Sequence, residues 1–442
     1  MQRILISETP QHVGESVKLS GWVHIRRDHG KLIFIELRDR SGSLQLVILL
    51  DKPGLIDIAK DVRSEFAIEI VGKVKERPGK AQSEGSSTGG VEIEVETMEV
   101  VGKPVGELPI DISKPELDLN LDTLLNNRTL ALRNEKVKAI FETYSELLKA
   151  YDDAMRADGF MEIKTPKILG SATEGGANVF KIKYFEQEAF LAQSPQFYKQ
   201  AGISAFERVF EVGTVFRAEP HFTARHVNEY TGFDAEMGFI EGFEDVMAEL
   251  EKTMQHMFRH IGTTCAKQLE LYGASVPKEV PIPRIRLSEA IEILKKEFNK
   301  DIENEDIDGE GERMICEYVK RKYDSDLVFL THYPFHVRPF YSMPSKDNPK
   351  YTETYDLLFR GIEIASGGQR IHDYTMLVEN MQKKGLDSTA EGYQSYLDVF
   401  RNGVPPHGGW GLGSERIVQK ILGLGSIKEA VLYPRDVKRL TP

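Results

Sequence analysis

The chain has 442 residues, with 57 lysines and arginines against 69 aspartates and glutamates, so its formal net charge is −12. This length predicts two domains or more. The charge argues against indiscriminate nucleic-acid binding but permits a local basic face. The sequence has no apolar stretch long enough for a membrane span, reaches Glu8 before a signal-peptide core can form, and has only two cysteines. We therefore expect a cytoplasmic protein with no membrane partner.

Residues 1–103 predict a small β-barrel. Apolar and polar residues alternate along four short segments separated by turns, which is typical of half-buried strands. Several antiparallel strands within about 110 residues favour a small closed barrel. The segments are Gly21–Arg26, Leu32–Arg38, 44–48 and Ile68–Val74, and a loop rich in glycine and serine follows at 79–90.

The outward face of this barrel has a composition that suits unpaired bases. Phe34 lies on the polar side of its strand, and Gln45, His24 and Arg26 lie on the polar sides of neighbouring strands. Six basic and three acidic residues occur over positions 18–40, against the trend of the chain. An exposed aromatic ring beside an amide and basic groups can stack on bases and read their edges. The alternative is a barrel with an ordinary polar surface.

Residues 104–130 contain three prolines and predict a hinge before a second, α+β domain over 131–442. A long helix opens this domain, because apolar residues recur every three or four positions from Val137 to Met155 and Gly159 then terminates it. The segment 274–345 has an acidic, glycine-interrupted middle and is interpreted as an insertion. Further strands are predicted at Arg208–Arg217, Thr231–Phe239 and Asp356–Ser366, and helices near 243–261, 388–402 and 413–422.

Two arginines and a carboxylate surround the loop between two of those strands. Arg217 and Glu219 follow the first strand, and Arg225 and His226 precede the second. Arginine suits bidentate contacts to phosphate, and the sequence has no glycine-rich phosphate loop of the common kinds. A nucleotide would therefore be held by side chains. A surface hairpin with salt bridges is the alternative.

Two later segments combine glycines with charged residues. Gly411–Arg416 opens a helix, where glycines permit close approach of a ligand and the helix N-terminus favours anions. Glu363 faces away from Ile362 and Ile364 and could hold Mg²⁺ beside phosphates. Arg370 follows two glycines and could bind a carboxylate. A structural ion pair is the alternative reading of these two charged residues.

These segments together resemble the motifs of class II aminoacyl-tRNA synthetases over nearly the whole chain. Gly159–Pro166 is similar to motif 1, Phe216–Glu219 with Arg225 and His226 to motif 2, and Gly411–Arg416 to motif 3. The barrel resembles the anticodon-binding OB-fold of the aspartyl, asparaginyl and lysyl enzymes. The likeness is closest to archaeal-type aspartyl-tRNA synthetases, through Thr173–Gly176, Gln193–Gln200, Phe216–Glu219, Gly408–Gly413 and Tyr433–Asp436.

The resemblance implies a fold and a reaction. The fold would be an N-terminal OB-fold β-barrel followed by a class II antiparallel sheet of six or seven strands flanked by helices. Aspartate would attack the α-phosphate of ATP to give aspartyl-adenylate and pyrophosphate, with Mg²⁺ as cofactor. The terminal ribose of tRNA would then take the aspartyl group. A homodimer is implied, because the motif 1 proline lies at the dimer interface in that class.

The resemblance also implies roles for individual residues. Arg217 and Arg416 would be the catalytic arginines, Glu363 and Ser366 would hold Mg²⁺, and residues 407–409 would close the amino-acid pocket. The implied aspartate-binding set is Glu174, Gln196, Lys199, Arg217, Ser366 and Arg370. The implied ATP-binding set is Arg217, Glu219, Arg225, His226, Val227, Glu363, Gly413, Ser414, Glu415 and Arg416. The implied anticodon-binding set is Arg26, Phe34 and Gln45.

His24 and Pro78 bear on which tRNAs are charged. In archaeal-type relatives, a Trp at the last position of the barrel's Gly-Trp-Val-x strand and a Lys in the loop after the fourth strand resemble the form restricted to tRNA(Asp). His and Pro at these positions resemble the relaxed form, and this chain has His24 and Pro78. The resemblance therefore implies charging of both tRNA(Asp) and tRNA(Asn), with an amidotransferase partner to convert the second product.

Several alternatives stay open. An aspartyl-tRNA synthetase restricted to tRNA(Asp) differs only in tRNA choice. An asparaginyl-tRNA synthetase shares the barrel and the motifs, although Lys199 suits a carboxylate better than an amide. An asparagine-making paralogue that uses ammonia would lack the anticodon barrel. A non-catalytic RNA-binding module would not need Arg217, Glu363, Ser366 and Arg416 together.

Overall fold

The computed structural model describes residues 1–30, 32–49, 53–77, 88, 90–171, 178–220, 223–302 and 305–442. The chain divides into two compact units, Met1–Leu117 and Asp118–Pro442. The predicted 104–130 hinge lies across this division. Over the described ranges, we find no helix with the length and apolar character that a membrane crossing requires.

The first unit contains a β-barrel. Its elements are a 3₁₀ helix (Ile6–His12), β1 (Ser16–Asp28), β2 (Leu32–Asp39), β3 (Gly42–Leu49), α1 (Pro53–Asp61), β4 (Ala67–Glu76) and β5 (Val91–Gly102). In the described residues the barrel closes with the strand order β1-β2-β3-β5-β4. Ile33, Ile35 and Leu37 are fully buried in it, while the residues between them are only half-buried. The predicted alternation of β2 is therefore confirmed.

A β-bulge in β1 changes which side chains face outward. The register with β2 shifts between Val23 and Ile25, so that Arg27 rather than Arg26 lies opposite Phe34. Arg26 instead donates from Nε to a backbone carbonyl of α1 at 2.8 Å. Uniform alternation along β1 was the wrong assumption, because a bulge adds one residue to its strand and reverses the faces beyond it.

The described part of the second unit contains two sheets and many helices. Its strands are β6 (Met161–Glu162), β7 (Ile168–Leu169), β8 (Lys181–Tyr184), β9 (Gln187–Leu191), β10 (Arg208–Phe216), β11 (Glu229–Gly238), β12 (Arg284–Arg286), β13 (Leu327–Thr331), β14 (Thr354–Phe359), β15 (Ile362–Arg370) and β16 (His407–Gly413). Its helices are α2 (Leu121–Asn126), α3 (Arg128–Ala131), α4 (Glu135–Ala157), α5 (Gln196–Phe206), α6 (Phe243–Thr264), α7 (Ala266–Tyr272), α8 (Leu287–Phe298), α9 (Gly309–Tyr323), α10 (Tyr374–Lys383), α11 (Glu391–Arg401), α12 (Ser414–Leu422) and α13 (Ile427–Ala430), with a 3₁₀ helix at Phe335–Val337.

The large sheet has eight strands among the described residues, in the order β12-β13-β14-β15-β16-β11-β10-β6. Its inner pairs are antiparallel, whereas the outermost pairs, β12 with β13 and β6 with β10, are parallel. The antiparallel class II sheet is confirmed at its centre, but the implied count of six or seven strands is too low. The single strand predicted at Asp356–Ser366 is a hairpin, because the backbone turns with positive φ at Arg360 and Gly361.

The segment 274–345 extends this sheet at one edge. It supplies β12 and β13, and its helices α8 and α9 pack around an apolar cluster that includes Leu294, Ile315 and Leu330. The acidic, glycine-interrupted stretch that suggested an insertion follows α8 in the chain and ends in the first turn of α9.

Helix α4 packs its apolar stripe on the large sheet, as its spacing predicts. Tyr151 is fully buried, and its ring stacks on Phe233 of β11 with 4.2 Å between centroids. Gly159 follows the helix with φ of 77°, a conformation that favours glycine. Because neighbouring residues of a strand face opposite ways, burial of Phe233 against α4 turns Asp234 and Glu236 to the other face of the sheet.

Candidate functional site

A cavity of about 600 Å³ opens over the middle of the large sheet. Strands β10, β11, β14, β15 and β16, helices α5 and α12 and several loops contribute to its lining. The fold thus brings together side chains that are far apart in the sequence. The implied site residues that line it are Gln196, Lys199, Arg217, Glu219, Arg225, His226, Val227, Glu363, Ser366, Arg370, Gly413, Glu415 and Arg416.

The described lining is richer in cations than in anions. Six lysine and arginine side chains line the cavity against four carboxylates, although the whole chain is acidic. A cationic recess in an acidic protein concentrates anionic ligands and steers them inward. The lining therefore suits a polyanion such as a nucleotide.

Two buried ion pairs lie at one end of the cavity, and Lys199, Asp234 and Arg370 of these pairs line it. The Nζ of Lys199 lies 3.0 Å from Oδ1 of Asp234 and donates to the Trp410 carbonyl at 2.7 Å. The Nε of Arg370 donates to Oε1 of Glu236 at 3.0 Å, and Lys199 lies 3.5 Å from the other oxygen of Glu236. All four charged side chains are more than nine-tenths buried. The cations are thus held rigidly, each with a carboxylate behind it.

The two carboxylates respond differently to this environment. Burial raises the pKa of Asp234, and Lys199 offsets only part of that rise. Burial also acts upward on Glu236, but Arg370 and Lys199 outweigh it and hold the pKa of this carboxyl below its usual value. Glu236 is therefore the firmly ionised member of the cluster, and Asp234 depends on Lys199 for its charge.

The loop after β10 carries the predicted phosphate-binding cluster at the opposite end. Arg217 is exposed, and its guanidinium lies 5.7 Å from the ring centroid of Tyr230. Glu219 lies 3.8 Å from Arg217 and 3.4 Å from Nε2 of His226. Buried Asn228 donates from Nδ2 to the Arg217 and Glu219 carbonyls at 2.6 and 3.2 Å. Asn228, which was not among the predicted site residues, therefore fixes the loop backbone.

Hydrogen bonds and an ion pair hold the side chains of Arg225 and Arg416 in place at the cavity. Arg225 pairs with Glu312 of α9 at 2.5 Å and donates to the Gly361 carbonyl at 3.0 Å. The Nη1 of Arg416 donates to the Glu363 carbonyl at 2.6 Å. Both guanidiniums line the cavity. They therefore present positive charge to it from fixed positions.

Ser414 and Glu415 are tied to the packing of α12. Ser414 is fully buried and donates to the Thr231 carbonyl at 2.9 Å, and Glu415 accepts from the Thr231 backbone at 2.9 Å and from Tyr144 at 3.2 Å. Ser414 is not among the lining residues of the cavity, whereas Glu415 is. In this structure the Ser414 side chain anchors the helix rather than facing the cavity.

The predicted metal ligands lie in a group of oxygen atoms that suits Mg²⁺. Burial raises the pKa of Glu363 to about 7, and nearby Asp356 adds to the rise, so a cation would relieve this pair. No cluster of three or more His, Cys, Asp or Glu gathers for a metal in the described residues. Mg²⁺ commonly takes one or two carboxylates and completes its shell with phosphates and water. The residues present therefore fit that mode of binding.

Arg338, which no sequence pattern indicated as a site residue, lies beside these oxygen atoms. Its Nη1 donates to Oγ of Ser366 at 2.8 Å, its Nη2 lies 2.8 Å from Oδ1 of Asp356, and its guanidinium lies 3.8 Å from the ring centroid of Tyr333. Ser366, predicted to hold Mg²⁺, thus already has a cationic donor. No local pattern marked Arg338, because it belongs to the loop between β13 and β14 and no recognised motif includes it.

Close backbone packing leaves no room for side chains on the floor of the cavity. A Cβ at Gly409 would lie 2.0 Å from the Ala235 carbonyl oxygen, and one at Gly367 would lie 2.6 Å from the Gly409 carbonyl oxygen. Residues 407–409, which were expected to close the amino-acid pocket, are buried in β16 and do not line the cavity. They pair with β11 and β15 and support the cavity without lining it.

A second cavity of about 260 Å³ lies on the outward face of the barrel. Phe34, Gln45, Arg27 and Arg77 line it. The Oε1 of Gln45 accepts from Arg77 at 2.8 Å, and its Nε2 donates to Glu92 at 3.0 Å, so the amide is held in one orientation. An aromatic ring beside an oriented amide and two arginines is a suitable surface for an unpaired base.

Two predicted residues of the barrel lie away from this cavity. Arg26 turns from it because of the bulge in β1, and His24 lies at the bulge, where its Nδ1 is 3.1 Å from Nη1 of Arg38. Neither side chain lines the cavity. Pro78 and Glu174, with the rest of Thr173–Gly176, lie outside the described residues.

Asp234 and Glu236 were not predicted as site residues, although the sequence contains a signal for them. In β11, Gly232, Asp234, Glu236 and Gly238 alternate with apolar residues. Acidic residues are rarely buried unless they are paired. Two of them on one face of a strand with no basic residue of its own therefore indicate cations supplied by other elements.

We predict that Lys199→Met destabilises the second unit, and more at pH 8 than at pH 5. Methionine would leave Asp234 buried without its cation, so its carboxyl would hold a proton that the unfolded chain releases, and stability would fall as pH rises. Removing one partner of a buried pair costs about 3–5 kcal/mol. Urea unfolding at both pH values, followed by tryptophan fluorescence, measures this loss.

The matched control is the double variant Lys199→Met with Asp234→Asn, which removes both charges. It should recover most of the stability and all of the added pH dependence, because no unpaired charge remains. An equal loss for Lys199→Met at the two pH values would contradict the account of the pair.

Comparison with known proteins agrees with this architecture. Residues 120–437 match the family of tRNA synthetases class II (D, K and N), and residues 17–101 match the OB-fold nucleic acid binding domain. The chain is 45% identical to an aspartate–tRNA(Asp/Asn) ligase of Aeropyrum pernix, over 99% of this chain and 98% of that protein. It is 42% identical to an aspartate–tRNA(Asp) ligase of Thermococcus kodakarensis, over 97% of each chain.

A solved structure shares the fold over its full length. The asparaginyl-tRNA synthetase of Pyrococcus horikoshii, complexed with asparaginyl-adenylate, aligns with a TM-score of 0.90 and 32% identity, over 100% of both chains. The family match covers the whole second unit except for its first two and last five residues. The chain belongs to the class II tRNA synthetases of the D, K and N group, with an OB-fold nucleic-acid-binding domain at its N-terminal end.

Proposed function

We propose that this protein is an aspartate–tRNA ligase that charges both tRNA(Asp) and tRNA(Asn). The observation that carries the amino-acid assignment is the pair of buried cations, Lys199 and Arg370, that line one end of the cavity. A carboxylate side chain would offer one acceptor oxygen to each of these cations, which also keep their protein partners Asp234 and Glu236. An asparagine amide would not, and sites built around a polar partner reject ligands that lack it.

The first step joins aspartate to AMP. An oxygen of the substrate α-carboxylate attacks the α-phosphorus of ATP, the bond from that phosphorus to the bridging oxygen breaks, and pyrophosphate leaves. The charge that develops on the phosphate oxygens is stabilised by positioned cations rather than by covalent chemistry of the protein. Arg217 serves the α-phosphate, and Arg225, His226 and Arg416 serve the remaining phosphates.

Other lining residues position the two substrates. Glu219 and Val227 belong to the loop between β10 and β11, which would lie beside adenine. Gly413 and Glu415 line the ATP site at the start of α12. Gln196, Ser366 and Glu174 complete the aspartate site in this proposal. Holding both reactants in line supplies much of the rate enhancement, because it removes the entropy cost of their encounter.

Glu363 is the residue proposed to hold Mg²⁺, with Ser366 beside it. The metal would neutralise phosphate charge and help to orient the pyrophosphate leaving group. Arg338 keeps Asp356 and the Ser366 hydroxyl in place next to that position. The protein thus supplies fixed carboxylate charge, and the nucleotide supplies the other oxygens.

The second step transfers the aspartyl group to tRNA. A hydroxyl of the terminal ribose attacks the carbonyl carbon of the adenylate, an ester forms, and AMP leaves. In the barrel, Phe34 would stack on an anticodon base, and Gln45 would read its edge. His24 and Pro78 are proposed to permit both anticodons.

Two protein partners accompany this proposal. A second copy of the chain would pack against the segment that resembles motif 1, where Met161 is about half exposed in the single chain. An amidotransferase would convert Asp-tRNA(Asn) to Asn-tRNA(Asn), because aspartate on tRNA(Asn) would otherwise be misincorporated.

Pyrophosphate exchange tests the amino-acid assignment. With ATP and Mg²⁺, exchange should be fastest with aspartate, weaker with asparagine and weaker still with lysine. Arg370→Leu should reduce aspartate-driven exchange by roughly 10⁴-fold, since the side-chain carboxylate of the substrate loses one of the two cations proposed to bind it. Faster exchange with asparagine or lysine in the wild-type protein would overturn the assignment.

Charging assays test the anticodon face separately from the catalytic site. Phe34→Ala should weaken tRNA charging by about 1–3 kcal/mol in kcat/KM, because a stacking ring is lost. Pyrophosphate exchange should be unchanged, since it requires no tRNA. Phe34→Tyr keeps the ring and is the matched control. A parallel loss of exchange in Phe34→Ala would mean that Phe34 supports folding instead.

Charging purified tRNA(Asp) and tRNA(Asn) with labelled aspartate tests the dual specificity. The two kcat/KM values should lie within about tenfold of each other, which corresponds to a difference of about 1.4 kcal/mol. A preference for tRNA(Asp) of about a hundredfold or more would indicate discrimination of the third anticodon base, and it would leave the amino-acid assignment intact.

A further inference from the structure

We propose that His407 is a positioning residue that acts through Gln200 to keep the amide oxygen of Gln196 turned toward the substrate's ammonium group. This inference rests on the proposed function, and it adds a residue that contacts no substrate. His407 opens β16, Gln196 and Gln200 lie one turn apart on α5, and Tyr396 lies on α11. We call these four side chains the amide relay.

The relay is buried and continuous. The ring Nε2 of His407 lies 2.9 Å from Nε2 of Gln200, and Oε1 of Gln200 lies 3.0 Å from Nε2 of Gln196 and 3.1 Å from the Tyr396 hydroxyl. His407 and Gln200 are fully buried, and Gln196 and Tyr396 are each 3% exposed. Of the four side chains, Gln196 lines the cavity.

The donor and acceptor at each step follow from His407. Its Nδ1 lies 2.9 Å from the Pro405 carbonyl oxygen, which can only accept, so Nδ1 carries the proton. Burial lowers the pKa of His407 to about 4, with Arg370 and His372 adding to the fall and Glu236 opposing it, so the ring is neutral near pH 7. A neutral ring with its proton on Nδ1 has an acceptor at Nε2.

That acceptor sets the orientation of both amides. Gln200 donates from Nε2 to His407 and therefore turns Oε1 toward Gln196. Gln196 then donates from Nε2 to Gln200, and its own Oε1 is the end turned away from the relay. A substrate ammonium has three donors and no acceptor, so it needs an oxygen at this place rather than an NH₂ group.

The opposite orientation is excluded by His407. If Gln200 were reversed, its oxygen would face the Nε2 lone pair, and two acceptors would oppose each other in a buried site. Such unsatisfied groups cost about 1–3 kcal/mol. Without the ring acceptor, Gln200 could reverse, Gln196 would follow, and an NH₂ group would face the substrate ammonium.

The test compares aspartate with succinate, which has the same two carboxylates and no amino group. Aspartate KM in pyrophosphate exchange and succinate inhibition against aspartate are measured for the wild type, His407→Phe and His407→Gln. Phenylalanine keeps a ring without an acceptor, and glutamine supplies an acceptor oxygen without a ring. In His407→Phe, aspartate KM should rise roughly ten- to hundredfold, while succinate inhibition and ATP KM stay unchanged. His407→Gln should restore most of the aspartate affinity.

A double variant shows whether the effect passes through Gln196. In a Gln196→Leu background, His407→Phe should change aspartate KM little further, because the amide that it orients is gone. Gln200→Leu interrupts the relay without touching β16, and it should reproduce the His407→Phe result if that variant folds poorly. Equal losses of aspartate and succinate binding, or an unchanged aspartate KM, would overturn the proposal.

The outcome is separable from that of the proposed function. If asparagine rather than aspartate drives exchange in the wild type, the aspartate assignment fails, but the α-ammonium group is the same. The identical comparison of asparagine with succinamate, its counterpart without the amino group, then supports or overturns the relay.

Discussion

The catalytic unit is organised around the buried pairing of two cations with two carboxylates, Lys199 with Asp234 and Arg370 with Glu236. Four charges taken out of water are costly, and only close pairing and further hydrogen bonds make the arrangement tolerable. The pairs join α5 to β11 and β11 to β15. Their geometry therefore fixes the relative positions of the elements that line one end of the cavity.

The rest of the site depends on that constraint. The cluster requires Asp234 and Glu236 on one face of β11, and the stacking of Tyr151 on Phe233 occupies the other face. The backbone must also approach closely at β16, where Gly409 leaves no space for a side chain. The residues proposed to bind the substrate are thus supported by packing and by paired charge, which is the support that preorganised sites require.

The two ends of the cavity differ in how deeply their cations are buried. The end near α5 holds fully buried, paired cations, which suits recognition of a small ligand of fixed charge. The other end holds arginines on a loop and at the start of α12, and Arg217 is exposed there. Exposed cations suit a bulky polyanion that must enter and leave better than buried ones do, because they attract it without a large desolvation cost.

The sequence by itself determined the elements with strong periodicity and the residues within local motifs. The alternation of β2 and the stripe of α4 follow from spacing alone, because these features depend on neighbours in the chain. The roles of the arginines in the two motif segments came from the resemblance to the synthetase family. The resemblance also identified Lys199 and Arg370 as candidate site residues. The sequence did not reveal the bulge that removes Arg26 from the barrel face, since no residue type there demands it.

Only the tertiary structure decided which side chains pair with one another in the site. Asp234, Glu236 and Arg338 acquire their roles from strands and loops distant in sequence, and Ser414 faces the packing of α12 instead of the cavity. Hydrogen-bond direction in the amide relay likewise depends on one carbonyl beside His407. Charge pairing and proton placement are set by distances between elements, and distances of that kind are fixed only when the sheet, α5 and α11 pack together.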